Sequence, residues 1–153
     1  MGNTLLITAF VLFLGGANVN DSPEVHPTGG TVELGRTIGR LEETVGGVGV
    51  THNGWSAKVI QQGNRHGETA EGQTYMYSVQ REFRPLNTTV RPVMAIGPAY
   101  VVNSPFVGRT NYHLSIGAEV SVFRITANHY SNAGMTSPNT GLDNVSVQMI
   151  LPF

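Results

Sequence analysis

Cysteine is absent from the 153-residue chain, and only one lysine, Lys58, is present. The first absence excludes disulfide scaffolds, thiolate zinc sites and cysteine nucleophiles. The second leaves eight scattered arginines to balance ten acidic residues, at a net charge of −1. No basic stripe is available for a nucleic acid. Charged residues of all kinds reach only 12%, about half the ~25% usual in soluble globular domains. Long apolar runs are missing too: no stretch approaches the ~20 residues of a membrane-spanning helix. The histidines show no H-x-x-x-H or H-E-x-x-H spacing, so no metal site is expected. The glycine clusters around 15–16, 29–30 and 46–49 lack the strand-to-helix context of a phosphate loop and read as strand starts or points of barrel curvature.

The one short apolar run, residues 5–14, is followed by Gly15, Gly16 and Ala17. An apolar stretch of this length ending in small residues reads as a secretory signal peptide over 1–17. The alternative is a strand or an anchor that stays attached. Residues 18–153 then form a single domain. Its first dozen residues, with Pro23 and Pro27, read as an entry segment.

From Thr31 onward strand signals recur, and a sustained 3.6-residue period does not. Candidate strands are 31–39, 45–52, 55–62, 73–83, 90–102, 110–120, 122–131 and 143–153. Several alternate cleanly. Tyr75, Tyr77, Val79 and Phe83 oppose Thr74, Ser78, Gln80 and Glu82. Leu114, Ile116 and Val120 oppose His113, Ser115 and Glu119. Phe123, Ile125 and Ala127 oppose Arg124, Thr126 and Asn128, and Val145, Val147 and Met149 oppose Asn144, Ser146 and Gln148. Period two puts one set on each face of a sheet.

Two architectures share this pattern. A soluble sandwich or barrel turns the apolar face inward, whereas a transmembrane barrel turns it to lipid. Three features favour the membrane: the signal-like segment, strand lengths near the ~9–11 residues of a tilted membrane strand, and a last strand ending on an aromatic, Phe153. The expected fold is therefore all-β, an eight-stranded antiparallel transmembrane β-barrel. Its short turns lie near 52–54, 84–89 and 120–122. The longer links, 63–72, 103–109 and 132–142, lie at the opposite end. Glu42 and Glu43 are expected in a solvated loop. Arg40, Arg65 and Arg109 fall in or near the outer loops, as phosphate contacts or simply as solubilising charge. Trp55 and Tyr75, Tyr77, Tyr100, Tyr112 and Tyr130 are either interfacial aromatics or interior packing.

His129 and Ser131 are two apart on a strand, so they share a face, and it is the face of Phe123, Ile125 and Ala127. Asp143 opens the next strand in phase with Val145. An antiparallel return brings the three side chains together. The combination is a nucleophile, a base and an orienter: imidazole accepts the serine proton, and the carboxylate holds the imidazole in the right tautomer. Asn132 stands beside Ser131, with its backbone N–H and side-chain amide as donors for an oxyanion. Spacing alone leaves a strand-end hydroxyl, an interfacial histidine and a turn carboxylate open as well. Location weighs against them, because polar groups in an otherwise lipid-facing row are costly without a role.

The segment His129-Tyr130-Ser131-Asn132-Ala133-Gly134, with Pro138-Asn139, Gly141 and an acidic residue at 143, resembles the C-terminal signature of the PagL-type lipid A deacylases. Weaker similarity extends to Arg91-Pro92 and to the Pro152-Phe153 ending. The resemblance implies an outer-membrane serine esterase that hydrolyses the 3-position acyl chain of lipid A, with no metal or cofactor. It assigns catalysis to His129 and Ser131 and the oxyanion hole to Asn132. The implied partners are lipopolysaccharide and outer-membrane lipids, and a homodimer is left open. One departure stands out: the family pattern has Glu where this sequence has Asp143, one methylene shorter. A non-catalytic barrel with a structural or adhesive role is the rival from another class, and a soluble β-sandwich is a third reading.

Overall fold

The alternating segments pair into eight strands in the computed structural model, which describes residues 26–38, 43–63, 73–86 and 88–153. The strands are β1 (Gly29–Thr37), β2 (Thr44–His52), β3 (Trp55–Gln62), β4 (Thr74–Phe83), β5 (Arg91–Val102), β6 (Thr110–Val120), β7 (Phe123–Ser131) and β8 (Leu142–Pro152). Every strand end lies within two residues of its sequence expectation. Neighbours pair antiparallel in chain order, and β1 pairs with β8 from Gly29↔Pro152 to Thr37↔Asn144, which closes the barrel. Closure leaves no sheet edge with unpaired backbone groups, as a lipid-facing sheet requires.

The turns follow local chemistry. Asn53 and Gly54, both at positive φ (47° and 75°), make the two-residue link between β2 and β3, the conformation that Asn-Gly favours in hairpins. The proposed signal segment, Arg40, Glu42 and Arg65 lie outside the described residues. Glu43 departs from expectation. It is 3% exposed and accepts a hydrogen bond from the Gln62 amide, so it belongs to the barrel interior rather than to a solvated loop.

Which way the apolar rows point decides between membrane and water. Val48, Val50, Val59, Val79, Ile96, Ile125 and Val147 are all exposed on the outer wall, while Gln80, Glu82, His113, Glu119, Arg124 and Gln148 are buried inside. A soluble sandwich would reverse both sets, so that reading is overturned. Aromatics ring the wall at two levels. Trp55, Phe83 and Phe123 are exposed at the short-turn end, with Arg81 stacked 5.5 Å over the Trp55 ring. Tyr77, Tyr100 and Tyr112 are exposed toward the loop end. Such girdles mark the two interfaces of a membrane barrel. Tyr130 does not join them: it is fully buried and stacks on the His113 ring at 4.1 Å.

The lumen is filled in two halves. At the short-turn end Arg124 meets Glu82 and Glu119, each at 2.8 Å, Arg84 meets Glu82 at 2.6 Å, and Arg91 meets Glu119 at 3.0 Å. Farther along, Lys58 pairs with Glu33, and Gly49 leaves room for the Lys58 stem, since a Cβ at Gly49 would lie 3.0 Å from its Cγ. His113, Ser115, Asn128 and Asn144 form a hydrogen-bonded middle layer. At the loop end the filling turns apolar: Val45, Ile60, Met76, Val101, Val107, Tyr130 and Leu142 pack together.

Candidate active site

β7 and β8 position the candidate residues. His129 and Asp143 are directly opposed in the antiparallel register. Opposed residues project from the same face with Cβ atoms about 5 Å apart, and here that face is the outer wall. His129 Nδ1 and Asp143 Oδ1 meet at 2.6 Å, with the side chains 40% and 51% exposed. That contact orients the ring and leaves Nε2 without a partner among the described residues. The shorter carboxylate therefore reaches the imidazole, and the lost methylene costs no contact. Gly141, at φ 77°, stands beside the ring, where a Cβ would come to 3.1 Å from His129 Cε1.

Ser131 ends β7 on the same face. Its hydroxyl donates to Asn139 Oδ1 at 3.1 Å and accepts from the Ala133 N–H at 3.2 Å. Among the described residues, no hydrogen bond joins Ser131 to His129. The structure thus pairs His129 with Asp143 and holds the Ser131 hydroxyl on the same face, turned toward the loop.

Asn132 is completely buried, and its donors are in use. Its backbone N–H goes to Asn139 Oδ1 at 3.0 Å, and its side-chain amide goes to the Thr136 carbonyl and hydroxyl, both at 2.7 Å. The Gly134 N–H donates back to Asn132 Oδ1 at 3.0 Å. The side-chain amide thus organises the loop and does not face the front of Ser131. Asn139, quoted in the sequence motif but given no role there, bridges the Ser131 hydroxyl and the Asn132 N–H. It is held by an isolated β-bridge to Val107, and next to it the Thr140 N–H donates to the Phe106 carbonyl at 2.9 Å. The loop between β5 and β6 thereby braces the loop that carries the site.

Below the site the wall is apolar. Leu114 on β6 pairs with His129, and Ile116 pairs with Ala127. These side chains form an apolar track that leads up the outer wall toward Ser131. A trough of about 720 Å³ lies on the far wall around Val50, Val59, Tyr77 and Val79, and none of His129, Ser131 and Asp143 lines it. Arg109 is exposed in its loop.

Residues 36–152 match the family model described as lipid A 3-O-deacylase (PagL). The chain belongs to that family. The crystal structure of the outer membrane enzyme PagL superposes with a TM-score of 0.58 at 17% identity, covering 81% of this chain and 99% of the other. At that identity the likeness shows a shared fold. No curated protein matches the chain.

Proposed function

We propose that the protein is an outer-membrane serine esterase that removes the 3-position acyl chain of lipid A. The observation that carries this reading is the 2.6 Å His129–Asp143 pair on the lipid-facing wall, with Ser131 two residues along the same strand, in a member of the lipid A 3-O-deacylase family. Residues 1–17 serve as the export signal, and the barrel sits in the bacterial outer membrane with its long loops outward. The site then lies at the level of outer-leaflet ester bonds.

Ser131 attacks the ester carbonyl while His129 Nε2 takes its proton, and Asp143 stabilises the resulting imidazolium. For this step the Ser131 hydroxyl rotates from Asn139 toward the imidazole. As Oγ bonds to the carbonyl carbon, the Ala133 N–H that it occupied at rest is released toward the developing oxyanion, and the Asn132 N–H joins it once Asn139 withdraws. Collapse expels the sugar hydroxyl, which leaves with the proton from His129. Water, activated by the same imidazole, then releases the 3-hydroxy fatty acid and regenerates Ser131.

The test is mass spectrometry of lipid A from cells carrying the wild-type barrel or Ser131→Ala. Loss of one ester-linked chain with the wild type, and not with the variant, is expected. The rival reading of a structural or adhesive barrel draws on the Ser131–Asn139 bond, which leaves the hydroxyl engaged elsewhere. It predicts unchanged lipid A in both strains.

A further inference from the structure

A cleft of about 410 Å³ opens at the loop-end rim where β1 meets β8, directly beside Asp143. Its walls combine Ile38, Phe106 and Leu142 with Thr140, Gln62 and Asp143. Gln62 is 1% exposed. Its amide nitrogen faces the Glu43 carboxylate, which fixes the orientation of the group and turns Oε1 the other way. That Oε1 is buried and has no hydrogen-bond partner among the described residues. A buried acceptor without a partner is uncommon in a folded protein, because its lost hydration is not replaced.

We infer that this cleft binds the glucosamine ring that carries the scissile ester. The inference rests on the esterase reading of the adjoining site and names the substrate group next to the reacting bond. An alkyl chain would leave Gln62 Oε1 still unpartnered, and the apolar track over Leu114 and Ile116 already offers a hydrocarbon path on the other side of His129. A sugar supplies what the cleft lacks. Its hydroxyl or amide N–H donates to Gln62 Oε1, and its C–H face lies against Phe106. The cleft also sits at the rim, above the apolar wall, at the level of a headgroup rather than of its chains. The ester carbonyl would then bridge between cleft and track, at Ser131.

Two substrates separate this subsite from the chemistry. Purified, refolded barrel in detergent is assayed on lipid A and on 4-nitrophenyl decanoate, which has an ester and a chain but no sugar. Gln62→Leu should lower kcat/KM on lipid A about tenfold more than on the nitrophenyl ester, as expected for one lost hydrogen bond. Phe106→Ala should show the same imbalance, mainly in KM. Reporting a ratio removes the effect of a poorly folded fraction, which lowers both activities together. Equal losses on the two substrates, in both variants, would overturn the sugar subsite while leaving the esterase intact. A wild-type barrel that cleaves neither substrate would overturn the esterase reading and the subsite with it.

Discussion

Polar side chains occur in two unlike settings in this barrel. At the short-turn end of the lumen, Glu82, Glu119, Arg84, Arg91 and Arg124 are cross-linked by ion pairs, and Glu82, Glu119, Arg84 and Arg124 are also deeply buried. On the outer wall at the loop end, His129 and Asp143 are half exposed and, among the described residues, pair only with each other, which leaves one His129 nitrogen unused. The lumen network is nearly closed: three arginines share two carboxylates, and Arg91, with its side chain 23% exposed, sits at its outer edge. The wall site is open, and its remaining valence faces the membrane. Polarity inside supports the fold, whereas polarity on the lipid side has a cost that a reacting ligand would justify. If that distinction holds, damage to the two places should register in different measurements.

The largest effect expected is on chemistry alone. Ser131→Ala should reduce lipid A deacylation by roughly 10³-fold or more, the scale seen when a serine nucleophile is removed. Its unfolding midpoint in detergent should match that of the wild type, since the hydroxyl's partners are a loop amide and one backbone N–H. A large stability loss would blur the open–closed distinction.

Arg124→Ala is the mirror experiment. It removes one of the two arginines shared by Glu82 and Glu119, leaving Arg84 on both, and breaking a buried ion pair from one side costs up to about 3–5 kcal/mol. Equilibrium unfolding in urea with detergent micelles should show that loss. The fraction that remains folded should still cleave, because the cluster lies at the opposite end of the barrel from His129. A catalytic defect per folded molecule would mean that the two regions are coupled.

Gly141→Ala acts on the seam between the settings. The added Cβ would press on the His129 ring, and a positive φ at a non-glycine residue costs of order 1–3 kcal/mol. Activity should fall about tenfold, the equivalent of ~1.4 kcal/mol in barrier height, with a destabilisation of similar size. Comparing kcat/KM with the unfolding midpoint of the same sample checks both.

The closed region was only partly legible in the sequence, and the open one largely was. Strand rhythm needs only neighbours two apart, so β3, β4, β6 and β7 could be read within a residue of where they fold. The His129–Asp143 pairing follows from one loop and one register, and both are local. The lumen pairs Glu82 with Arg124, forty-two positions apart, and no period reports such a contact. Glu43 was misread because beside Glu42 it resembles loop charge, whereas the β2–β3 register, with Val45 opposite Gln62, brings the Gln62 amide to it inside the lumen. Tyr130 has the sequence context of an interfacial aromatic, yet the phase opposite His129 turns it inward onto His113. Asn139 was visible as a letter in a motif. Its bond to Ser131 depends on how a ten-residue link between β7 and β8 folds, and that depends in turn on the Val107 bridge.

The smallest effect bears on the acidic residue. The family pattern's glutamate suggests that aspartate at 143 weakens the site, and sequence alone would have Asp143→Glu raise activity. The observed contact argues otherwise. Aspartate already touches Nδ1 at 2.6 Å, at least as short as the ~2.7–2.9 Å of a charge-assisted N–H···O bond, so no reach remains to be gained. The register does the work of the missing methylene, because His129 and Asp143 stand directly opposite one another. A longer side chain must fold back to make the same bond, at the cost of some rotamer freedom. Asp143→Glu should therefore leave deacylation within about threefold of wild type, a barrier change of well under ~1 kcal/mol. Asp143→Asn keeps the shape and loses the charge, and should cost far more, up to about 10⁴-fold by analogy with other serine triads. A clear gain with glutamate would mean that the pair tightens only when substrate is bound, and that the geometry at rest understates what the shorter acid lacks.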